Sequence, residues 1–290
     1  MKRKISLSFV LAAMAGFCVA GGCKDLNATS NQIQLCRYKK VFADDFNTLS
    51  ISRSNNETSR WSAHTPWNGD FGDAKFIDPV VAFADPEKNA PFFIKDGILT
   101  IRAQKHENGK WTSGLLSSAD ATTAGFAQMY GYFEARMKLP PGEGVWPAFW
   151  LNANNPKDDK SPSVEIDVIE YYGKFTDGFH SVWHVWDKVD PKKTRSGEII
   201  TPVSKGSLSD DFHTYGVDVS KESIVFYLDR REIGRVQTPV EHTKPLLMLV
   251  NLALGSGWPI EHTPNPSDLL VDYVYAFAPD NDKIVADCNK

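Results

Sequence analysis

The sequence predicts an all-β fold, a sandwich or a barrel, and three observations carry that prediction. Short runs rich in β-branched and aromatic residues recur from Val41 to Phe277. Clusters of Gly, Pro, Asn and Asp separate them, and no amphipathic helical period extends beyond two turns. The 290 residues suffice for one large all-β domain or two small ones. Apolar residues at 42% and charged residues at 23% belong to a globular chain and exclude a disordered one.

In chain order, the first element is not part of the fold. Lys2, Arg3 and Lys4 precede an apolar run from Ile5 to Ala15, and small residues follow at Ala20, Gly21 and Gly22. That is the layout of an export signal, and the apolar run is too short to span a membrane. Residues 1–22 are therefore read as a signal peptide and residues 23–40 as an N-terminal tether, with the folded domain at 41–290. Without the signal the chain loses three cations and no acids, leaving a net charge of −7, which disfavours nucleic acid as a partner.

The signal implies an oxidising destination: periplasm, medium or outer membrane. Three cysteines remain beyond it, Cys23, Cys36 and Cys288. In one reading Cys23 carries a lipid anchor, since Ala20-Gly21-Gly22-Cys23 resembles a lipobox with Ala20 where leucine is usual, and Cys36 pairs with Cys288. In the other, Cys23 pairs with Cys36. A monomer is expected either way.

The strands follow. Phe92 to Ile101 has two strand-like halves around Asp96-Gly97, a hairpin cue. Further runs cover 130–139, 145–151, 164–172, 180–186, 212–219, 223–228, 245–254 and 269–277. In the last, Val271, Tyr273, Tyr275 and Phe277 alternate with Asp272, Val274 and Ala276, which predicts one buried face. The connections 54–91 and 187–210 are long for a compact domain and are expected to shape a cleft.

The chemistry is concentrated in Ser163-Val164-Glu165-Ile166-Asp167-Val168-Ile169-Glu170-Tyr171-Tyr172. Acids placed among β-branched residues favour a strand. On a regular strand Glu165 and Asp167 share a face and Glu170 points away. One bulge between Asp167 and Glu170 restores the parity. The glutamates are then spaced like i and i+4, about 13 Å between Cα atoms. Side chains leaning together would bring the carboxyls to roughly 5–5.5 Å, the separation of a retaining glycosidase pair. Carboxyls this close cannot all ionise, so one keeps its proton near neutral pH. A solvated acidic strand or a hard-cation site would use the same residues.

The surrounding motifs resemble glycoside hydrolase family 16 over most of residues 41–278. They are Gly131-Tyr132-Phe133-Glu134-Ala135-Arg136-Met137-Lys138-Leu139-Pro140, Val145-Trp146-Pro147-Ala148-Phe149-Trp150-Leu151, the bulged acid motif, Ser181-Val182-Trp183-His184, Phe212-His213-Thr214-Tyr215-Gly216-Val217, Asn251-Leu252-Ala253-Leu254-Gly255 and Val271-Asp272-Tyr273-Val274-Tyr275, in family order. The bulged form is that of laminarinase-like, agarase-like and exopolysaccharide-cleaving members, and His64 to Asp73 resembles the last group. Two positions depart from the family: Val219 replaces a usual tryptophan, and Asp229-Arg230-Arg231 replaces a usual Asp-Gly turn.

The resemblance implies a β-jelly-roll of two curved antiparallel sheets and a retaining endo-acting hydrolase with a polysaccharide substrate. That substrate is a β-1,3 or mixed β-1,3/1,4-glucan or a bacterial exopolysaccharide. Glu165 becomes the nucleophile, Glu170 the acid and then base, and Asp167 the auxiliary acid. No cofactor is required for catalysis. Asp272, with Asp45 as neighbour, matches an aspartate that often holds a structural calcium. His184 would line the cleft beside the acid/base, and Asn251 would bind a sugar hydroxyl. Trp146 and Trp150 share a face and would stack on sugars or fill the core. Trp67 and Trp258, in Gly/Asn/Pro-rich loops, would stack on sugars or anchor their loops. A transglycosylase on the same scaffold and a lectin-like binding module are the competing functions.

Overall fold

The computed structural model describes residues 31–52, 59–79, 90–280 and Cys288. The signal-peptide expectation, Cys23 and the first part of the tether, residues 23–30, lie outside these residues, as does part of the 54–91 connection. The tether boundary moves, because Tyr38, Lys39 and Lys40 already belong to the first strand.

Eighteen strands make up the described fold. In order they are β1 (Tyr38–Asp44), β2 (Ile51–Ser52), β3 (Trp61–Ser62), β4 (Ala74–Phe76), β5 (Phe92–Lys95) and β6 (Ile98–Lys105). Next come β7 (Trp111–Ser113), β8 (Leu115–Ser117), β9 (Gly131–Lys138), β10 (Val145–Ala153), β11 (Ser163–Glu170) and β12 (Gly178–Trp186). The last are β13 (Arg195–Pro202), β14 (His213–Val219), β15 (Ser223–Leu228), β16 (Arg231–Gln237), β17 (Leu246–Leu254) and β18 (Ser267–Pro279). One sheet runs β13-β12-β11-β10-β17-β8-β3-β2. The other runs β16-β15-β14-β9-β18-β6-β7-β4, with β1 on β18 and β5 on β6. Pairing is antiparallel except for two short parallel contacts, β2 with β3 and β4 with β7.

The expected sandwich is therefore present. Its core lies between the sheets, where Phe149, Ile166 and Met248 of the first meet Ile101, Phe133, Val217 and Val271 of the second. Burying such side chains contributes roughly 1.5–3 kcal/mol each, so the alternation along each strand decides which residues the other face can offer to solvent. The expected hairpin forms as well: Asp96 and Gly97 both take positive φ (53° and 75°), the turn that Asp-Gly favours between paired strands.

Two expectations need correction. The 187–210 stretch is not one long loop, because it contains β13, paired along its length with β12. And β18 does not bury the face its alternation suggested. Its register against β9 shifts between Val271 and Tyr273, which puts Asp272 in a bulge. Val271, Val274 and Ala276 face the core, while Tyr273 and Tyr275 stack on the other side with ring centroids 4.0 Å apart. The extra residue inverts the parity of everything after it.

Cys36 and Cys288 are joined, with Cα atoms 5.6 Å apart, which excludes the Cys23–Cys36 pairing. Non-reducing peptide mapping should recover Cys36 and Cys288 in a single linked fragment that separates on reduction. Recovery of Cys36 linked to Cys23 would contradict this fold.

Candidate active site

The acid strand β11 lies between β10 and β12. Its register against both neighbours slips after Asp167, and Val168 is the residue passed over against β10. Val168 and Ile169 both point into the core in succession, so a bulge has absorbed one residue. Glu165, Asp167 and Glu170 are thereby left on the same, outer face, where they line one cavity of about 270 Å³ with Trp67, Phe71, Trp146, Trp150 and Asn251.

Each acid has its own surroundings. Glu165 sits opposite Asn152 of β10 and His184 of β12 in the register. Its Oε2 accepts a hydrogen bond from Asn152 Nδ2 at 2.7 Å. Burial, and then the charge of Asp167, push its carboxyl up to about 8, against the pull of His184, Trp186 and Asn152. Asp167 is buried, and its Oδ2 makes no hydrogen bond among the described residues; His184 Nε2 lies 3.4 Å from it. Burial first and the Glu170 charge second hold Asp167 well above the usual carboxylate range. Glu170 Oε1 accepts from Trp146 Nε1 at 3.0 Å. Burial raises Glu170 too, opposed by hydrogen bonds from Trp146 and Tyr172 and by His184 and His180. The cluster therefore keeps protons at a pH where free carboxyls have lost them, and the hydrogen bonds around its two glutamates let one carboxylate form beside a carboxylic acid.

The other expected residues are distributed along this face. Trp150 Nε1 donates to Asn251 Oδ1 at 2.8 Å, leaving the fully buried Asn251 with an unused Nδ2 among the described residues. Trp146 stacks on Tyr172 (6.2 Å, 25°) and Trp67 tilts against Trp150 (6.0 Å). His184 stacks on Trp186 at 4.7 Å and faces Asp167 and Glu165, 3.4 and 3.9 Å away, rather than sitting specifically at Glu170. Trp258 does not line the cavity of the acids; it meets Phe175 edge-to-face at 4.9 Å.

Asp272 does not fit the expected calcium. A calcium ion takes six to eight oxygen ligands, whereas Asp272 Oδ2 is bound to Arg136 Nη1 at 2.5 Å and Asp45 accepts the Tyr275 hydroxyl. Among the described residues the only cluster of three metal-capable side chains is Glu165, Asp167 and His184.

The sequence reading missed Phe71, Tyr172, His180 and Trp186. Phe71 wedges edge-on against both Trp146 (5.5 Å) and Trp150 (6.0 Å). A signal was there, because Phe71 is a large aromatic between Asp70 and Gly72, as Trp67 is beside Asn68. Gly72 has φ +71°, and a Cβ there would lie 2.4 Å from the Leu254 carbonyl. Only glycine lets this loop dock on β17 and carry Phe71 over the tryptophans.

The arrangement gives a testable pH dependence. Removing the charge of Asp167 with Asp167→Asn takes away the second cause of the raised Glu165 carboxyl. The acid limb of the kcat/KM profile should then move to lower pH, because ionised Glu165 no longer faces a neighbouring anion. An acid limb that stays put or moves up would contradict this reading of the pair.

The sequence pattern of Glycosyl hydrolases family 16 matches residues 86–275. The chain is 33% identical to Endo-1,3-1,4-beta-glycanase ExsH of Rhizobium meliloti (strain 1021) over 88% of its own length and 57% of that protein's. It is 34% identical to Endo-1,3-1,4-beta-glycanase EglC of the same organism, over 87% and 55%. The chain thus spans about half the length of these curated relatives. Among solved structures, the catalytic domain of an endo-1,3-beta-glucanase (laminarinase) from Thermotoga petrophila RKU-1 superposes with a TM-score of 0.66 at 22% identity, covering 84% of this chain and 99% of that one. At that identity the likeness speaks for the jelly-roll fold alone.

Proposed function

The chain belongs to glycosyl hydrolase family 16, and from that premise we propose that it is a retaining endo-β-glycanase acting on a β-1,3 or mixed β-1,3/1,4-linked polysaccharide. The observation that carries this reading is the bulge at Val168, which gathers Glu165, Asp167 and Glu170 into one aromatic-lined cavity.

In the first step the Glu165 carboxylate attacks the anomeric carbon while Glu170 gives its proton to the departing glycosidic oxygen. The C–O bond breaks, a glycosyl ester forms on Glu165 and Glu170 is left ionised. In the second step Glu170 takes a proton from water, whose oxygen attacks the same carbon and releases Glu165. Two inversions retain the anomeric configuration. Asp167, itself held above the usual carboxylate range, raises Glu165 by its charge as it ionises and so tunes the pH at which the nucleophile forms. Asn152 and His184 favour the ionised form of Glu165. Trp146 and Tyr172 orient Glu170. Trp67, Trp146 and Trp150 offer stacking surfaces for apolar sugar faces, and the unused Nδ2 of Asn251 donates to a sugar hydroxyl. Trp258 with Phe175 forms a separate aromatic surface for a more distant sugar. No step draws on a metal.

The same reading makes the protein an exported monomer whose catalytic unit is the sandwich. Cys36 is taken by Cys288, which supports Cys23 as the anchored residue. Incubation with laminarin and lichenan, with reducing-end assay and product sizing, tests the activity. Rising reducing ends with internal chain scission are expected. Products longer than the starting polymer would establish transglycosylation instead, and retained binding with unchanged polymer a lectin.

A further inference from the structure

Beyond the Glu165 end of the acid strand the cleft continues into a second cavity, of about 380 Å³, which shares Glu165 and Trp67 with the first. Trp67 and Trp186, 54% and 41% exposed, give it aromatic walls. Lys157 and Lys188 also line it. Lys188 Nζ donates to the Asp159 carbonyl at 3.2 Å, which fixes the stem without neutralising the charge. The nearby Asp159 carboxylate is occupied by Lys244 at 2.8 Å. Among the described residues neither Lys157 nor Lys188 is paired with a carboxylate. At the Glu170 end, the cavity of Tyr172, Phe175 and His180 contains Asp177 and no lysine or arginine. The chain as a whole carries net charge −4, so two uncompensated ammonium groups in the cleft stand against the average. A neutral glucan would use the aromatic walls and the asparagines, and would leave both ammonium groups without a function.

We propose that this second cavity binds a sugar carrying an anionic substituent, held between Trp67 and Trp186 and countered by Lys157 and Lys188, so that the preferred substrate is an anionic polysaccharide. This deepens the glycanase reading and rests on it for cleavage, although binding can be measured apart from it. Two exposed ion pairs contribute modestly, about fivefold each at most, and are screened by salt.

The test compares laminarin with carboxymethylated and sulfated laminarin of matched length, on the wild type and on Lys157→Gln/Lys188→Gln. The ratio of kcat/KM on anionic over neutral polymer should fall about fivefold or more in the double variant. In the wild type the same ratio should shrink at high salt. Loss confined to the carboxymethylated or the sulfated arm assigns the substituent, and loss on both assigns a general anion site. Affinity electrophoresis reads binding on the same polymers without cleavage. Preferential retention of the anionic polymer that the double variant loses supports the inference even if none is cut, and the hydrolase reading alone would then fail. A preference unchanged by the substitutions, or absent in the wild type, overturns it. Lys157→Glu/Lys188→Glu, with like charges facing the substituent, should lower the ratio further.

Discussion

Glu165→Gln and Glu170→Gln should each lower turnover on a natural polymer by about three orders of magnitude or more, at least ~4 kcal/mol of transition-state stabilisation at 1.36 kcal/mol per tenfold. Neither change should unfold the protein, and Glu165→Gln should stabilise it at neutral pH. Burial raises the folded-state Glu165 carboxyl from 4.5 to about 8. Between those values the folded protein holds a proton that the unfolded chain has released, so stability falls as pH rises. Below about pH 4.5 both states are protonated and the penalty is absent; it grows toward pH 8 and is complete above. Glutamine has no proton to lose, so the variant escapes the penalty. Its Tm should exceed the wild-type value by several degrees at pH 8 and coincide with it near pH 4. Normal turnover in either variant would remove the chemical assignment. A Tm gain that persists unchanged at pH 4 would place the effect in packing instead. Azide then separates the roles, since it should restore cleavage to Glu165→Ala by entering at the anomeric carbon, and should not restore it to Glu170→Ala on a substrate with a poor leaving group.

The acid strand was legible in the sequence because its parity could be checked against chemistry. Three carboxyls among Val164, Ile166, Val168 and Ile169 make no sense split across a buried sheet, so a bulge was the economical solution. The same device in β18 was not legible. Both faces of that strand carry large apolar or aromatic residues, and nothing in Val271 to Phe277 marks Asp272 as the extra one. The edge strands β13 and β16 escaped notice for a related reason. At the margin of each sheet they bury little, and Arg195-Ser196-Gly197-Glu198 and Arg231-Glu232 read as loop. Phe71 and the two lysines depend on where loops dock, which is set by contacts distant in sequence, as between Gly72 and Leu254.

One departure from the family turn becomes intelligible only in three dimensions, and it yields the second large effect. Asp229 and Arg230 both adopt positive φ, 49° and 62°, between β15 and β16, where Asp-Gly would fit without strain. Arginine in that conformation costs about 1–2 kcal/mol. The compensation lies beneath it. Glu134 of β9 is completely buried, and Arg230 grips it with two hydrogen bonds, Nη2 to Oε1 at 2.7 Å and Nε to Oε2 at 3.1 Å. Removing one partner of a buried pair costs roughly 3–5 kcal/mol, because the other charge stays behind. Arg230→Gly, although it installs the turn residue that the backbone prefers, should therefore destabilise by about 1–3 kcal/mol net in urea unfolding, the upper end of the pair's cost being reduced because the Arg230 side chain is 38% exposed. Glu134→Gln/Arg230→Gly should recover most of that loss, since a neutral amide tolerates the site once the cation is gone. Equal or greater stability of Arg230→Gly alone would mean that backbone strain outweighs the pair. Failure of the double variant to recover would mean that the guanidinium is needed for its packing rather than its charge.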